Sequence, residues 1–89
     1  MENTEFLLAG FLYGQASQSF TIWPIMLGEA HVFSVYPVRG VVEAEFRVKN
    51  IRYQRLDEDY NSNYRVNFEV ENLIGNGVAY ELFWTRFFQ

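Results

Sequence analysis

Residues 64–72 read YRVNFEVEN, and how that stretch is read decides the fold. Tyr64, Val66, Phe68 and Val70 alternate with Arg65, Asn67, Glu69 and Glu71. Apolar and polar residues at period two, with β-branched and aromatic types on the apolar side, specify a strand with one buried and one wet face.

The stretch before it, VVEAEFRVKNIRY (41–53), has the same alternation. Val42, Ala44, Phe46 and Val48 turn in, and Glu43, Glu45, Arg47 and Lys49 turn out. The phase breaks at Asn50, since Ile51 and Tyr53 are the next apolar residues. A one-residue bulge near Asn50 returns Ile51 and Tyr53 to the inner face.

Charge then selects the register. Antiparallel pairing of Arg47 with Glu71 and Lys49 with Glu69 sets opposite charges across the ladder, each pair contributing roughly 0.2–1 kcal/mol. Beyond the bulge the register shifts by one residue and pairs Ile51 with Phe68 and Tyr53 with Val66. The following stretch, VAYELFWTRFF (78–88), turns Val78, Tyr80, Leu82 and Trp84 inward. Gly75-Asn76-Gly77 suits a tight turn. Matching parity predicts an odd loop centred on Gly75, with Val70 beside Tyr80, Phe68 beside Leu82 and Val66 beside Trp84.

Towards the N-terminus the strands are shorter. Residues 1–4 are expected to fray. Glu5–Gly14 reads as a strand with Phe6, Leu8 and Leu12 on one side and Leu7, Ala9, Phe11 and Tyr13 on the other. Gly10, Gly14 and the aromatics favour strand over a short helix. Ser19–Trp23 is a second strand, which Pro24 confines to an edge or bulge. Ala30–Tyr36 is a third, after a turn around Gly28. Gln54–Asn63 is the longest polar loop. Six to seven short antiparallel strands separated by turn signals predict a small all-β sandwich, with a small barrel as the alternative. The 89 residues make one domain, and sequential strands are expected to pair mostly as hairpins.

Composition bounds the function. The chain is 49% hydrophobic and 19% aromatic, rich for a domain that buries only about 60–65% of its unfolded surface. A dense aromatic core, oligomerisation or both would compensate. Without cysteine, no disulfide or thiolate metal site exists, which fits a reducing, cytoplasmic setting. A secreted domain without its leader is the alternative. Net charge is −4 with no basic run, which argues against nucleic acid and against an anionic membrane surface. The apolar run Phe6–Tyr13 is too short to span a bilayer.

Few residues offer chemistry. His31 is the one histidine, with no Ser or Cys motif beside it, and reads as structural. Asp57, Asp59 and Asn61 begin like a calcium loop, but Ser62 and Phe68 stand where that loop needs glycine and glutamate. Glu43 with Glu45, and Glu69 with Glu71, have carboxylate spacings used in glycoside hydrolysis, yet Arg47, Lys49 and Arg65 share their face. No catalytic residue, metal ligand or cofactor site is assigned. The V-x-N…G…Y pattern of Val70, Asn72, Gly77 and Tyr80 is similar to one found in many bacterial immunoglobulin-like modules and implies no function.

Both terminal strands are apolar on two sides, where a two-layer domain needs one wet face. Leu7, Phe11, Phe83 and Phe87 are therefore the expected contact surface of a homo-oligomer, a dimer in the simplest case. Trp23, Tyr36, Tyr53 and Tyr60, near strand ends or in loops, are the candidates for a carbohydrate or apolar ligand. The expected function is a non-catalytic, self-associating interaction module. A small lectin-like domain is the alternative, and a small enzyme comes third.

Overall fold

The computed structural model describes residues 2–56 and 64–87. Six strands follow in order: β1 (Glu2–Leu12), β2 (Ser17–Ile25), β3 (Ala30–Pro37), β4 (Phe46–Arg55), β5 (Tyr64–Asn72) and β6 (Val78–Phe87). They form two three-stranded antiparallel sheets, β1-β6-β3 and β2-β5-β4. The sheets stay separate, so the molecule is a sandwich rather than a barrel.

The two central strands carry the core. Val66, Phe68 and Val70 of β5 and Tyr80 and Leu82 of β6 are fully buried. Aromatic rings join the sheets across the middle. Phe33 of β3 stacks on Phe68 of β5 with centroids 3.9 Å apart, and Phe46 of β4 meets Tyr80 of β6 at 5.9 Å.

The β4–β5 register follows the charges. Arg47 lies opposite Glu71, Lys49 opposite Glu69 and Tyr53 opposite Val66, with a one-residue shift between Lys49 and Arg52. Asn50 absorbs the shift at φ 55°, a left-handed conformation that asparagine tolerates better than most residues. Ile51 lies inside the irregularity instead of opposite Phe68, and it is exposed.

Three expectations are corrected. First, β5 and β6 do not form a hairpin: β6 pairs with β1 and β3, and residues 73–77 carry the chain from one sheet to the other. Of the four ladders, only β4–β5 joins sequential strands. Period-two alternation fixes which side chains turn inward, but not whether they meet a neighbour in their own sheet or the facing one. Second, β4 begins at Phe46, and Val42 is largely exposed. Glu43 sits at φ 59°, incompatible with a continuing strand. Third, Asn3 and Thr4 do not fray. They belong to β1, opposite Arg86 and Thr85, and the Thr4 and Thr85 hydroxyls lie 2.9 Å apart.

Strand β1 also carries a bulge. Its register against β6 shifts between Phe6 and Leu8. Beyond the shift, Leu8, Gly10 and Leu12 oppose the inward residues Leu82, Tyr80 and Val78. Before it, Phe6 opposes Phe83. Strand β2 is an edge, as Pro24 requires without an N–H to give, and its register slips between Ile22 and Ile25.

Asn72 ties the crossing together. It is fully buried, and its Nδ2 donates to the carbonyls of Leu12 at 3.2 Å, Tyr13 at 3.3 Å and Asn76 at 2.8 Å. Its Oδ1 accepts from the Ile74 N–H at 3.1 Å.

Candidate functional site

The outward faces of the two sheets differ in kind. On β2-β5-β4 most outward side chains are polar and paired, although Trp23 and Ile51 are also exposed on its strands. Arg47 donates through Nε to Glu71 at 3.0 Å, Lys49 lies 3.4 Å from the same carboxylate, and Asn50 donates to Glu69 at 2.7 Å. Arg65 donates to Gln54 at 2.7 Å, and the Thr21 hydroxyl to Asn67 at 2.7 Å. The Arg47 hydrogen bond holds the Glu71 carboxyl below its ordinary range. Glu69 and Glu71 are thus members of an ion-paired, solvated surface. Glu43 lies outside any strand, so the Glu43–Glu45 spacing along a strand does not exist.

The outward face of β1-β6-β3 is largely apolar. Its rows follow from the register: Phe6, Phe83 and Ser34; Ala9, Glu81 and Tyr36; Thr4, Thr85 and Val32. Phe11 lies opposite Ala79 at one end, and Phe87 opposite Ala30 at the other. Phe6, Phe11, Val32, Tyr36 and Phe87 are between 38% and 57% exposed, too much for core residues and unusual on one sheet face. Phe83 stands between the Phe6 and Tyr36 rings, edge-on to both at 5.6 and 5.8 Å. Glu81 is the one charged group among the described side chains of these rows.

Of the residues expected at a contact surface, Phe11, Phe83 and Phe87 lie on this face. Leu7 does not: it sits in the bulge and packs against the core. Strict alternation had placed Leu7 with Phe11 and Phe6 with Leu8. The bulge exchanges them and puts Phe6 on the outer face. Val32 was also missed. The available signal was register: Leu8 opposite Leu82 and Thr4 opposite Thr85 can both hold only if β1 has one extra residue between them.

The candidate ligand residues do not gather. Trp23 is on the edge strand β2, Tyr36 is on the apolar outer face, and Tyr53 is near the end of β4 beside His31. Tyr60 and the calcium-like Asp57, Asp59 and Asn61 lie outside the described residues. No cluster of three metal-ligating side chains occurs among the described residues.

A groove of about 500 Å³ crosses the apolar face, lined by Thr4, Ser34, Tyr36, Glu81, Phe83 and Thr85. A second pocket of about 310 Å³ lies under the β2–β3 turn and includes Glu29, Tyr53 and Tyr64 in its wall. Behind that wall is His31. Its Nε2 is 3.0 Å from Glu29 Oε2 and its Nδ1 is 3.1 Å from the Tyr53 hydroxyl. Its ring lies parallel to Trp84 with centroids 4.9 Å apart, and its side chain is fully covered. With both nitrogens occupied and no exposed edge, His31 joins the β2–β3 turn to β4 and presents no open base. Burial holds the Tyr53 hydroxyl above its ordinary range; its bond to the His31 backbone works the other way, and the Glu29 charge adds to the rise.

Comparison with protein families, curated proteins and solved structures finds no match to this chain.

Proposed function

We propose that this chain is a non-catalytic assembly module whose copies associate through the outer face of β1-β6-β3. The observation that carries the reading is the contrast between the two sheets. One outward face is laced with ion pairs, while the other exposes five large apolar side chains along its length, two of them, Phe6 and Tyr36, against Phe83.

Area favours a second copy as the occupant. Four aromatic rings and one valine at about half exposure present roughly 450 Å² of apolar surface, taking ~200 Å² for a whole aromatic side chain. At ~25 cal/mol per Å², covering this is worth about 11 kcal/mol per copy before association costs of about 4–15 kcal/mol. Two such faces, with the polar residues between them, bury about 1,000 Å² or more, the size at which specific interfaces begin. A two-fold arrangement closes the assembly and leaves the charged faces outward, which favours a dimer over open stacking.

Light scattering on a sizing column, over a range of concentrations, tests this. Wild-type protein should run as a dimer, and Phe83→Glu and Phe6→Glu as folded monomers. Glu81→Gln should tighten the dimer, because it removes a carboxylate that self-association would desolvate. A wild-type monomer at every concentration, or glutamate variants that dimerise normally, would sink the reading.

The groove supports a second reading. The Tyr36 and Phe83 rings lie beside the Ser34, Thr4 and Thr85 hydroxyls and the Glu81 carboxylate. Rings with adjacent hydrogen-bonding groups suit the two sides of a sugar. Amide shifts along β3 and β6 on adding oligosaccharides to a monomeric protein would favour this lectin-like alternative.

A further inference from the structure

We infer that the pocket under the β2–β3 turn is a binding site for a small apolar molecule carrying a primary ammonium group. This site is separate from the face proposed for self-association and does not depend on that proposal.

The argument begins with protons. Glu29 is a carboxylate and can only accept, so the His31 nitrogen facing it, Nε2, must carry hydrogen. In the neutral ring Nδ1 is then an acceptor, so the Tyr53 hydroxyl donates to it. The chain runs Tyr53 O–H to Nδ1, then Nε2–H to Glu29, and uses both of its protons. The Tyr53 oxygen is already engaged by the His31 backbone as well as its ring, so the polar group the wall leaves for a ligand is the Glu29 carboxylate, which only accepts. A ligand that satisfies it must bring donors.

The rest of the wall sets the ligand's body. Ile25, Leu27 and Ala30 are apolar, and Tyr53 and Tyr64 present rings. At about 310 Å³ the pocket is at the small end of ligand sites, enough for one ring or a short branched chain. An ammonium group meets both requirements at the wall. It donates to Glu29, and a cation beside tyrosine rings is also favoured. His31 is a positioning residue here. It fixes the carboxylate and the phenol before any ligand arrives, which lowers the ordering cost of binding.

Titrating 15N-labelled protein with benzylamine, and separately with benzyl alcohol, tests the site. Benzylamine should give saturable amide shifts across residues 26–30. Benzyl alcohol, equal in shape but uncharged, should bind about tenfold more weakly, as the loss of a charge-assisted bond implies. Glu29→Gln should weaken benzylamine by about tenfold and leave benzyl alcohol within about twofold. Tyr53→Phe, which keeps the ring but removes the hydrogen bond that holds His31 in place against Glu29, should weaken benzylamine alone. Equal affinity for the two probes, unchanged benzylamine binding in Glu29→Gln, or no shifts at the turn would overturn the inference. If Glu29→Gln fails to fold, the comparison of probes on wild type and Tyr53→Phe still decides.

Discussion

Replacing Asn72 with alanine should cost more stability than any single salt bridge in this protein. The side chain joins three segments that share no ladder: the end of β1 through Leu12, the turn at Tyr13, and the crossing at Ile74 and Asn76. Its two Nδ2 hydrogens serve three carbonyls, and Oδ1 takes one N–H. That amounts to about three net hydrogen bonds at about 1 kcal/mol each. Asn72 is fully buried and its bond to Leu12 is buried, the other three part-buried, so the loss should reach about 3 kcal/mol. For 89 residues the whole stability is roughly 4–13 kcal/mol. In urea, with a slope near the low end of ~1–3 kcal/mol per M, the midpoint should fall by about 2–3 M. Asn72→Asp should be worse still near neutral pH. It keeps the acceptor for Ile74 but sets a carboxylate against three carbonyl oxygens. A loss below about 1 kcal/mol for alanine, or an aspartate milder than alanine, would show that Nδ2 donates nothing of consequence and that the crossing is held elsewhere.

Two further outcomes follow from close contacts and charge. A Cβ on Gly10 would lie 2.7 Å from the Tyr80 hydroxyl, and Tyr80 is fully buried and bonded to Gln18 at 3.1 Å. Gly10→Val should therefore cost about 1–3 kcal/mol and lower Tm by at least ~5 °C, read by thermal unfolding; an unchanged Tm would mean the ring has room to move. Arg47 lowers the Glu71 pKa on folding, so the pair's stabilisation is present above the ordinary glutamate range, about pH 4.3. It is lost as pH falls through the lower folded value. Arg47→Ala should flatten the acid limb of a plot of urea midpoint against pH and leave the limb above pH ~6 parallel to wild type; identical acid limbs would refute the coupling.

The apolar face was legible as a problem before it was legible as a place. Two-sided hydrophobicity in residues 5–14 and 78–88 marked a surface that a simple two-layer domain leaves uncovered. It could not assign Phe6 and Leu7 to the right sides, because one extra residue between them reverses the alternation. Tyr36 and Val32 joined the face only when β3 paired with β6. The Glu29–His31–Tyr53 chain was not legible at all. Glu29 and His31 are close in sequence, but Tyr53 comes to them from a different sheet.

By itself the sequence determined that these stretches are strands, the inward residues of β5 and β6, and the one ladder between consecutive strands. Those depend on period two, on residues close in the chain, and on opposite charges that must meet across a single turn. Val66, Phe68, Val70, Tyr80, Leu82 and Trp84 all turned in as their alternation required. Only the tertiary structure decided which strands lie side by side. An inward residue loses its water equally well beside a strand of its own sheet or against the facing one. The choice between a β5–β6 hairpin and a crossing between sheets was therefore left to the whole fold: whether β1 and β3 could flank β6, and whether the buried Asn72 found its carbonyls at the crossing.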